Sequence, residues 1–600
     1  MARVIAGLHE RRTALAGLAL TLAALAGLLA ESPPAAAPAA YILLIAFLGA
    51  LAAGEPRLRR ALAGRPWLGR LVIVLGAAVG VLAILLPVHP DQAFRLNRMP
   101  FGAWVVAAHG WGLGLLLVAL AAGTGTPARW RPGALGGALA AALIALAILS
   151  LGRFMPLDLP DEPWLAAAVH FAQTGAGALA PGSLSWAYGI PEPVLQRYYL
   201  AMGLWLRAAG DQSLLTLRAF PLLSAGLSAA LFSLALRRDR RLTGAGRLIG
   251  LAALLSLSAF VRASHNLRAD IGLAAYGAII VWALVELGRV EHPRSAACLA
   301  GLALWPAMEC IPTAGLALAA GLGGVLLADV RRGPSRRALT AFAAGGGLAL
   351  ALYVAVHFVP DFTAHWDAYR QFVNFYHASG WFGLRSPLPS LVDYHLRFSL
   401  ILSPVELPVV AGLAGWLLRR GDTLDRRVLA AGGLAALLLL LTASVGYGYW
   451  AAFAPFAAYA AARAAVKRPL VVLAALTALA AVPLRDMAYE AALNRNAQAL
   501  AAADLLTGQI PPGALVAADE SLWFTLHAGR TVWLWTGLDR FATIQGLTLA
   551  TALRELAPQV AICRKTDAPR CAAAFGARIF APPLEFFIRG EPYLIFWRRD

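Results

Sequence analysis

Two adjacent carboxylates stand where the chain first leaves an apolar run for a long polar stretch: Asp161 and Glu162, in Pro160-Asp161-Glu162-Pro163-Trp164. Adjacent acids at the mouth of a membrane cavity suit a general base or a metal ligand. The same residues also suit a helix start, with Asp161 as cap and Pro163 in the first turn; on these residues alone both readings stay open. Farther along, Glu309 lies at the outer end of an apolar run and Glu406 about two turns into another. There they either border a cavity or act as paired interfacial acids. The segment 358–398 gathers aromatic and polar side chains, among them Trp366, Arg370, His377 and Arg385, a mixture suited to a lid over a polar headgroup or a sugar. No short metal-ligand spacing joins His265, His365 and His377, so they read as ordinary interfacial histidines.

The elements that position these residues must be membrane helices. The chain has 600 residues, 60% of them hydrophobic and 14% charged, too few charges to cover a water-soluble protein of this length. Apolar runs of roughly 15 to 22 residues recur along it, about the length that crosses a hydrocarbon core. The expected fold class is an all-α polytopic membrane protein of about fifteen transmembrane helices, followed by a small α/β domain. Basic residues cluster in alternate loops: Arg57, Arg59 and Arg60; Arg237, Arg238, Arg240 and Arg241; Arg331, Arg332, Arg336 and Arg337; Arg419 and Arg420. The positive-inside rule then places the N-terminus in the cytoplasm and the long loops outside; the Ala-, Leu- and Arg-rich, Lys-poor composition fits a bacterial-type plasma (inner) membrane. Residues 1–40, with Arg3, Arg11, Arg12 and a later run of small residues, have a signal-peptide layout; they are read as the first span, and the topology is the same if they are removed. The net charge of +19 is a topology signal facing anionic lipid and calls for no nucleic acid.

Three parts follow. Residues 1–133 hold four N-terminal spans. Residues 134–485 form a transmembrane core with long outer loops at 152–218 and 358–398, and residues 486–600 form an extracytoplasmic α/β domain. In the last part Ala514 to Ala517, Gln559 to Cys563 and Tyr593 to Trp597 read as strands and Thr548 to Leu556 as a helix. Cys563 and Cys571 fall in this oxidising compartment and are expected to form a disulfide. Internal repeats are not evident, and ionisable residues are scarce at mid-membrane depth, which counts against a pump or transporter.

Four segments resemble the GT-C class of membrane glycosyltransferases, in the branch of protein O-mannosyltransferases and lipid A aminoarabinose transferases. They are Leu159-Pro160-Asp161-Glu162; Tyr198-Tyr199-Leu200-Ala201-Met202-Gly203-Leu204-Trp205 running on to Leu217-Arg218-Ala219-Phe220-Pro221; Arg268-Ala269-Asp270; and Tyr449-Trp450-Ala451-Ala452-Phe453-Ala454-Pro455. The similarity covers about residues 134–485. It departs from the branch in two places: the Lys-Pro-Pro element is replaced by Pro191-Glu192-Pro193 with Arg197 nearby, and Glu309 stands where a Lys is common.

The resemblance implies transfer, with inversion, of a sugar from a polyprenyl-phosphate donor to a lipid, protein or glycan acceptor at the outer face. Asp161 would be the base and Glu162 either its helper or a structural residue. Arg268, then Arg262 and Arg197, would hold the donor phosphate, because a guanidinium grips phosphate oxygens in pairs. Asp270 would be a second acid that orients an Arg or joins Asp161 around a divalent cation, Mg or Mn. Glu192, Tyr198, Glu309, Glu406, His377 and Arg385 are candidate cavity-lining residues. Two other functions compete: a lipid-linked glycan ligase or polymerase working through His377 and Arg385, and a flippase or transporter without covalent chemistry.

Overall fold

The computed structural model describes residues 132–153, 168–173 except 170, 197–331 except 290–292, 333–359, isolated positions from 362 to 370, 406–442, 447–469 and, with interruptions, 472–598. Asp161, Glu162, Glu192, His377, Arg385 and Cys571, like the four N-terminal spans, lie outside the described residues. The described helices are, in chain order, α1 (Pro132–Leu149), α2 (Arg197–Ala209), α3 (Leu214–Arg238), α4 (Gly244–Ser256), α5 (Ser258–His265), α6 (Asp270–Arg289), α7 (Pro293–Leu302), α8 (Leu304–Cys310), α9 (Pro312–Ala328), α10 (Gly333–His357), α11 (Glu406–Arg420), α12 (Thr423–Thr442), α13 (Ala454–Lys467) and α14 (Arg495–Thr507). A 3-10 turn, Tyr447–Phe453, leads directly into α13.

Among the described residues, α3, α6 and the Ser335–His357 part of α10 are each long and apolar enough to cross a membrane. Helix α6 is the axis of the bundle: 67% of its apolar window is buried inside the protein, against 17% for α10. Helices α3 and α10 expose leucines, among them Leu223, Leu227, Leu348 and Leu350, as helices that cross a membrane do. Small residues let α6 approach its neighbours. The place a side chain would take at Gly277 is filled by the Ala452 carbonyl, as in other close membrane helix pairs.

Two apolar runs of the sequence, 248–261 and 296–308, are not continuous helices. The run at 248–261 is broken at Leu257, which is extended (φ −69°, ψ 122°), so α4 and α5 meet at 61°. The run at 296–308 is broken at Ala303 between α7 and α8. A break within a bilayer frees backbone N–H groups that must find partners inside the protein. At the first break the partner is Glu406, the first residue of α11, whose carboxylate accepts from the Ser258 N–H (3.0 Å) and from the Ser258 hydroxyl.

The last part of the chain holds β1 (Leu515–Ala518), β2 (Thr531–Leu534), α15 (Leu549–Leu556), β3 (Val560–Arg564), β4 (Ile579–Ile588) and β5 (Glu591–Arg598). The strands form one sheet of order β2-β1-β3-β5-β4, parallel from β2 to β3 and antiparallel from β3 to β4. The apolar runs of β1 and β3 are almost wholly buried, as central parallel strands require. Cys563 on β3 is disulfide-bonded, whereas Cys298 and Cys310 are free thiols.

Candidate active site

At the start of α6 a carboxylate sits inside the protein. Asp270 is fully buried, and its Oδ2 lies 3.1 Å from Nε of Arg268. Two residues upstream, Asn266 Oδ1 accepts from the Arg268 N–H at 2.9 Å, closing a tight turn between α5 and α6. The guanidinium of Arg268 lies over the Tyr449 ring, 5.8 Å from its centroid, a cation–π distance. Its side chain keeps 26% of its surface exposed, so the buried acid is neutralised by a cation with one side open.

The backbone of Gly448 closes over Asp270, and the carboxylate occupies the space where a side chain at 448 would stand. From the other side, Tyr199 on α2 accepts from the Ala269 N–H at 3.3 Å. Its neighbour Tyr198 packs edge-on against Tyr199 and Phe220, with centroids 5.5 and 5.1 Å apart. Three segments far apart in sequence, 198–199, 268–270 and 448–449, thus converge on one carboxylate.

Beside this corner lies a second buried acid. Glu309, at the end of α8, is 5% exposed. Its carboxylate accepts from the Arg197 backbone N–H (3.0 Å), from Trp305 Nε1 (2.9 Å) and from His357 Nε2 (2.9 and 3.0 Å). The next residue, Cys310, fits against Gly272 of α6. Glu309 therefore ties the start of α2 and the end of α10 to the helix beside Asp270.

The predicted residues separate as follows. Arg197, Tyr198, Arg268, Asp270 and Glu309 fall in this region. Arg197 is half-buried at the first position of α2; among the described residues its guanidinium makes no hydrogen bond or ion pair. Arg262 is half-buried near the end of α5. Glu406 is spent on the break at Leu257 rather than lining this corner. His265 is fully buried, bonding to the Val261 and Ala147 carbonyls, inside the protein rather than at its interface. Among the described residues no group of three His, Cys, Asp or Glu could hold a metal. Sequence reading assigned no site role to His357, Gly448, Tyr199 or the fully buried Arg218, although the last two lie in segments that carry the resemblance. One signal could have found the Glu309 cluster: Trp305 and Glu309 are four apart, on one face of a helix.

No family model and no curated protein matches the sequence. Solved structures do. The crystal structure of ArnT from Cupriavidus metallidurans in the apo state aligns at TM-score 0.53 and 14% identity, and ArnT bound to undecaprenyl phosphate at 0.52 and 13%. Each alignment covers 76% of this chain and 97% of that one. The chain has the GT-C fold. This fold and the apolar helices make it an integral membrane protein, with the Asp270 corner at one end of its helical bundle and Glu286 and Arg289, the last turn of α6, at the other.

Proposed function

We propose that this chain is a membrane glycosyltransferase that moves a sugar, with inversion, from a polyprenyl-phosphate donor to an acceptor at the outer face of the plasma membrane. The observation that carries this reading is the convergence on the Asp270 corner of Tyr198–Tyr199, Arg268 and Gly448–Tyr449, which lie in or beside segments that carry the resemblance. The GT-C fold supports it, as does the undecaprenyl phosphate bound in the ArnT structure.

Nucleotide sugars are confined to the cytoplasm, so a transferase working outside needs a donor anchored in lipid. In the reaction, the acceptor hydroxyl attacks the anomeric carbon and its proton passes to the Asp161 carboxylate, with Glu162 supporting. The bond from the anomeric carbon to the phosphate oxygen breaks, and polyprenyl phosphate leaves with the electron pair. Arginines meet the charge that develops on it. Arg197 is the first choice, because among the described residues its guanidinium is uncommitted. Arg268, steadied by Asp270 and Tyr449, and Arg262 are next. A divalent cation at Asp161 and Asp270 would compete with Arg268, which already neutralises Asp270, so the phosphate charge is assigned to arginine.

The test is transfer of radiolabelled sugar from polyprenyl-phosphate donors by purified protein, wild type against Asp161→Asn at equal folding. Loss of transfer in the variant is expected, by at least about 100-fold if a general base is removed. Equal activity removes Asp161 from the mechanism. Wild-type protein inert with every donor, yet moving lipid-linked sugar across vesicles, would make it a flippase.

A further inference from the structure

Glu309 combines features that a surface acid lacks. It is buried, three different elements donate to its carboxylate, and the backbone group it holds belongs to the residue whose side chain is the first choice for the donor phosphate. The first N–H groups of a helix have no partner within it and carry partial positive charge. A carboxylate placed on the Arg197 N–H therefore anchors the first described turn of α2 and sets how it is turned. From that point α2 delivers Tyr198 into the packing around Gly272 and Tyr199 onto the Ala269 N–H.

We infer that Glu309 is a positioning residue: by holding the Arg197 N–H it sets the Arg197 guanidinium for the phosphate of the lipid-linked donor. His357 and Trp305 make the carboxylate rigid by filling its remaining acceptor positions. An amide in its place keeps one acceptor oxygen and adds two donors. Glu309→Gln thus turns an N–H group toward Arg197, Trp305 or His357 Nε2, and the start of α2 loosens while the fold persists. The inference rests on the reading of Arg197 as a phosphate-binding group.

The experiment has two arms. In nanodiscs, the dissociation constant for undecaprenyl phosphate is measured for wild type, Glu309→Gln, Arg197→Ala and the double variant. Each single change is expected to weaken binding about tenfold, the worth of one charge-assisted contact. The double variant should match Arg197→Ala within about twofold, since a residue acting through Arg197 has nothing left to position. Multiplied effects would overturn the inference. In the second arm, amide exchange is followed over 197–209 and over α6. Glu309→Gln should speed exchange in the first segment and leave α6 unchanged. Unchanged exchange at 197–209, or a general speeding of both segments, would overturn the positioning role. If Glu309→Gln does not fold, Trp305→Phe, which removes one donor, is expected to give the same local effect at smaller size. Should wild type bind no undecaprenyl phosphate, the reading of Arg197 fails, and the exchange arm alone still decides whether Glu309 fixes α2.

Discussion

Gly448 shows how closely the candidate site is fitted. A methyl group there would coincide with the Asp270 carboxylate, so Gly448→Ala must push either the 3-10 turn or the acid aside. Moving the acid parts it from Arg268, and moving the turn takes Tyr449 off the same guanidinium. Transfer should fall at least about tenfold, measured as kcat/KM. Undiminished transfer in a folded Gly448→Ala protein would place the Asp270–Arg268 pair outside the chemistry. At this scale the sequence is half legible. Arg268 and Asp270 were visible because Arg268-Ala269-Asp270 is one of the segments that resemble the GT-C class. The fitting of Gly448 on Asp270, of Tyr199 on Ala269 and of His357 on Glu309 joins segments tens to hundreds of residues apart. One-dimensional spacing holds no trace of such contacts.

At the end of the bundle away from Asp270, helices are joined by charge. Arg241 binds Asp239 (2.8 Å) and Asp422 (2.6 Å) and donates to the Tyr459 hydroxyl. Arg463 binds Asp425 (2.6 Å) and Asp422 (3.0 Å). This network links the turn after α3, the turn before α12, and α13. Burial works against ionisation of Asp239 and Asp422, but bonds from the Arg241 guanidinium, and for Asp422 also the Asp425 N–H, outweigh it and hold both carboxyls below the usual range. Acids so lowered contribute stability that is complete above the unfolded-state value of about 4 and is lost as pH falls through the folded-state values. The melting temperature should therefore hold between neutrality and about pH 5 and drop below about pH 4. Arg241→Ala strands the buried Asp239 and should cost about 3–5 kcal/mol at neutral pH. The acid-side drop should be shallower in that variant; a parallel drop would show that other groups set the acid limit. Legibility at this scale followed residue type. Long apolar helices stand close to where hydropathy put them, whereas the breaks at Leu257 and Ala303 fall on residues that do not break helices in general. In the sheet, β1, β3, β5 and α15 match the expected pieces. Strand β4 was missed because Pro582 and Pro583 argue against a strand. It is an edge strand, and its register shifts between Phe580 and Leu584, where those prolines sit.

Across the whole molecule the two ends of the bundle differ in charge. The end carrying the ion network also bears Arg237, Arg289, Arg419, Arg420, Lys467 and Arg468 at the ends of α3, α6, α11 and α13. A positive excess in short loops stays cytoplasmic, so the Asp270 end should face outward, where a lipid-linked sugar is the available donor. Single cysteines decide the matter in a Cys298→Ser background, because the other free thiol, Cys310, is buried. Ala208→Cys lies on an exposed turn of α2 at the Asp270 end, and Thr423→Cys is exposed beside Asp422 at the other. A membrane-impermeant maleimide should label position 208 in intact spheroplasts and position 423 only after permeabilisation. The reverse pattern would place Asp270 and Arg197 in the cytoplasm, within reach of nucleotide sugars. The physical reason for a polyprenyl-phosphate donor would then be gone, even if the fold and every contact around Asp270 stood as described.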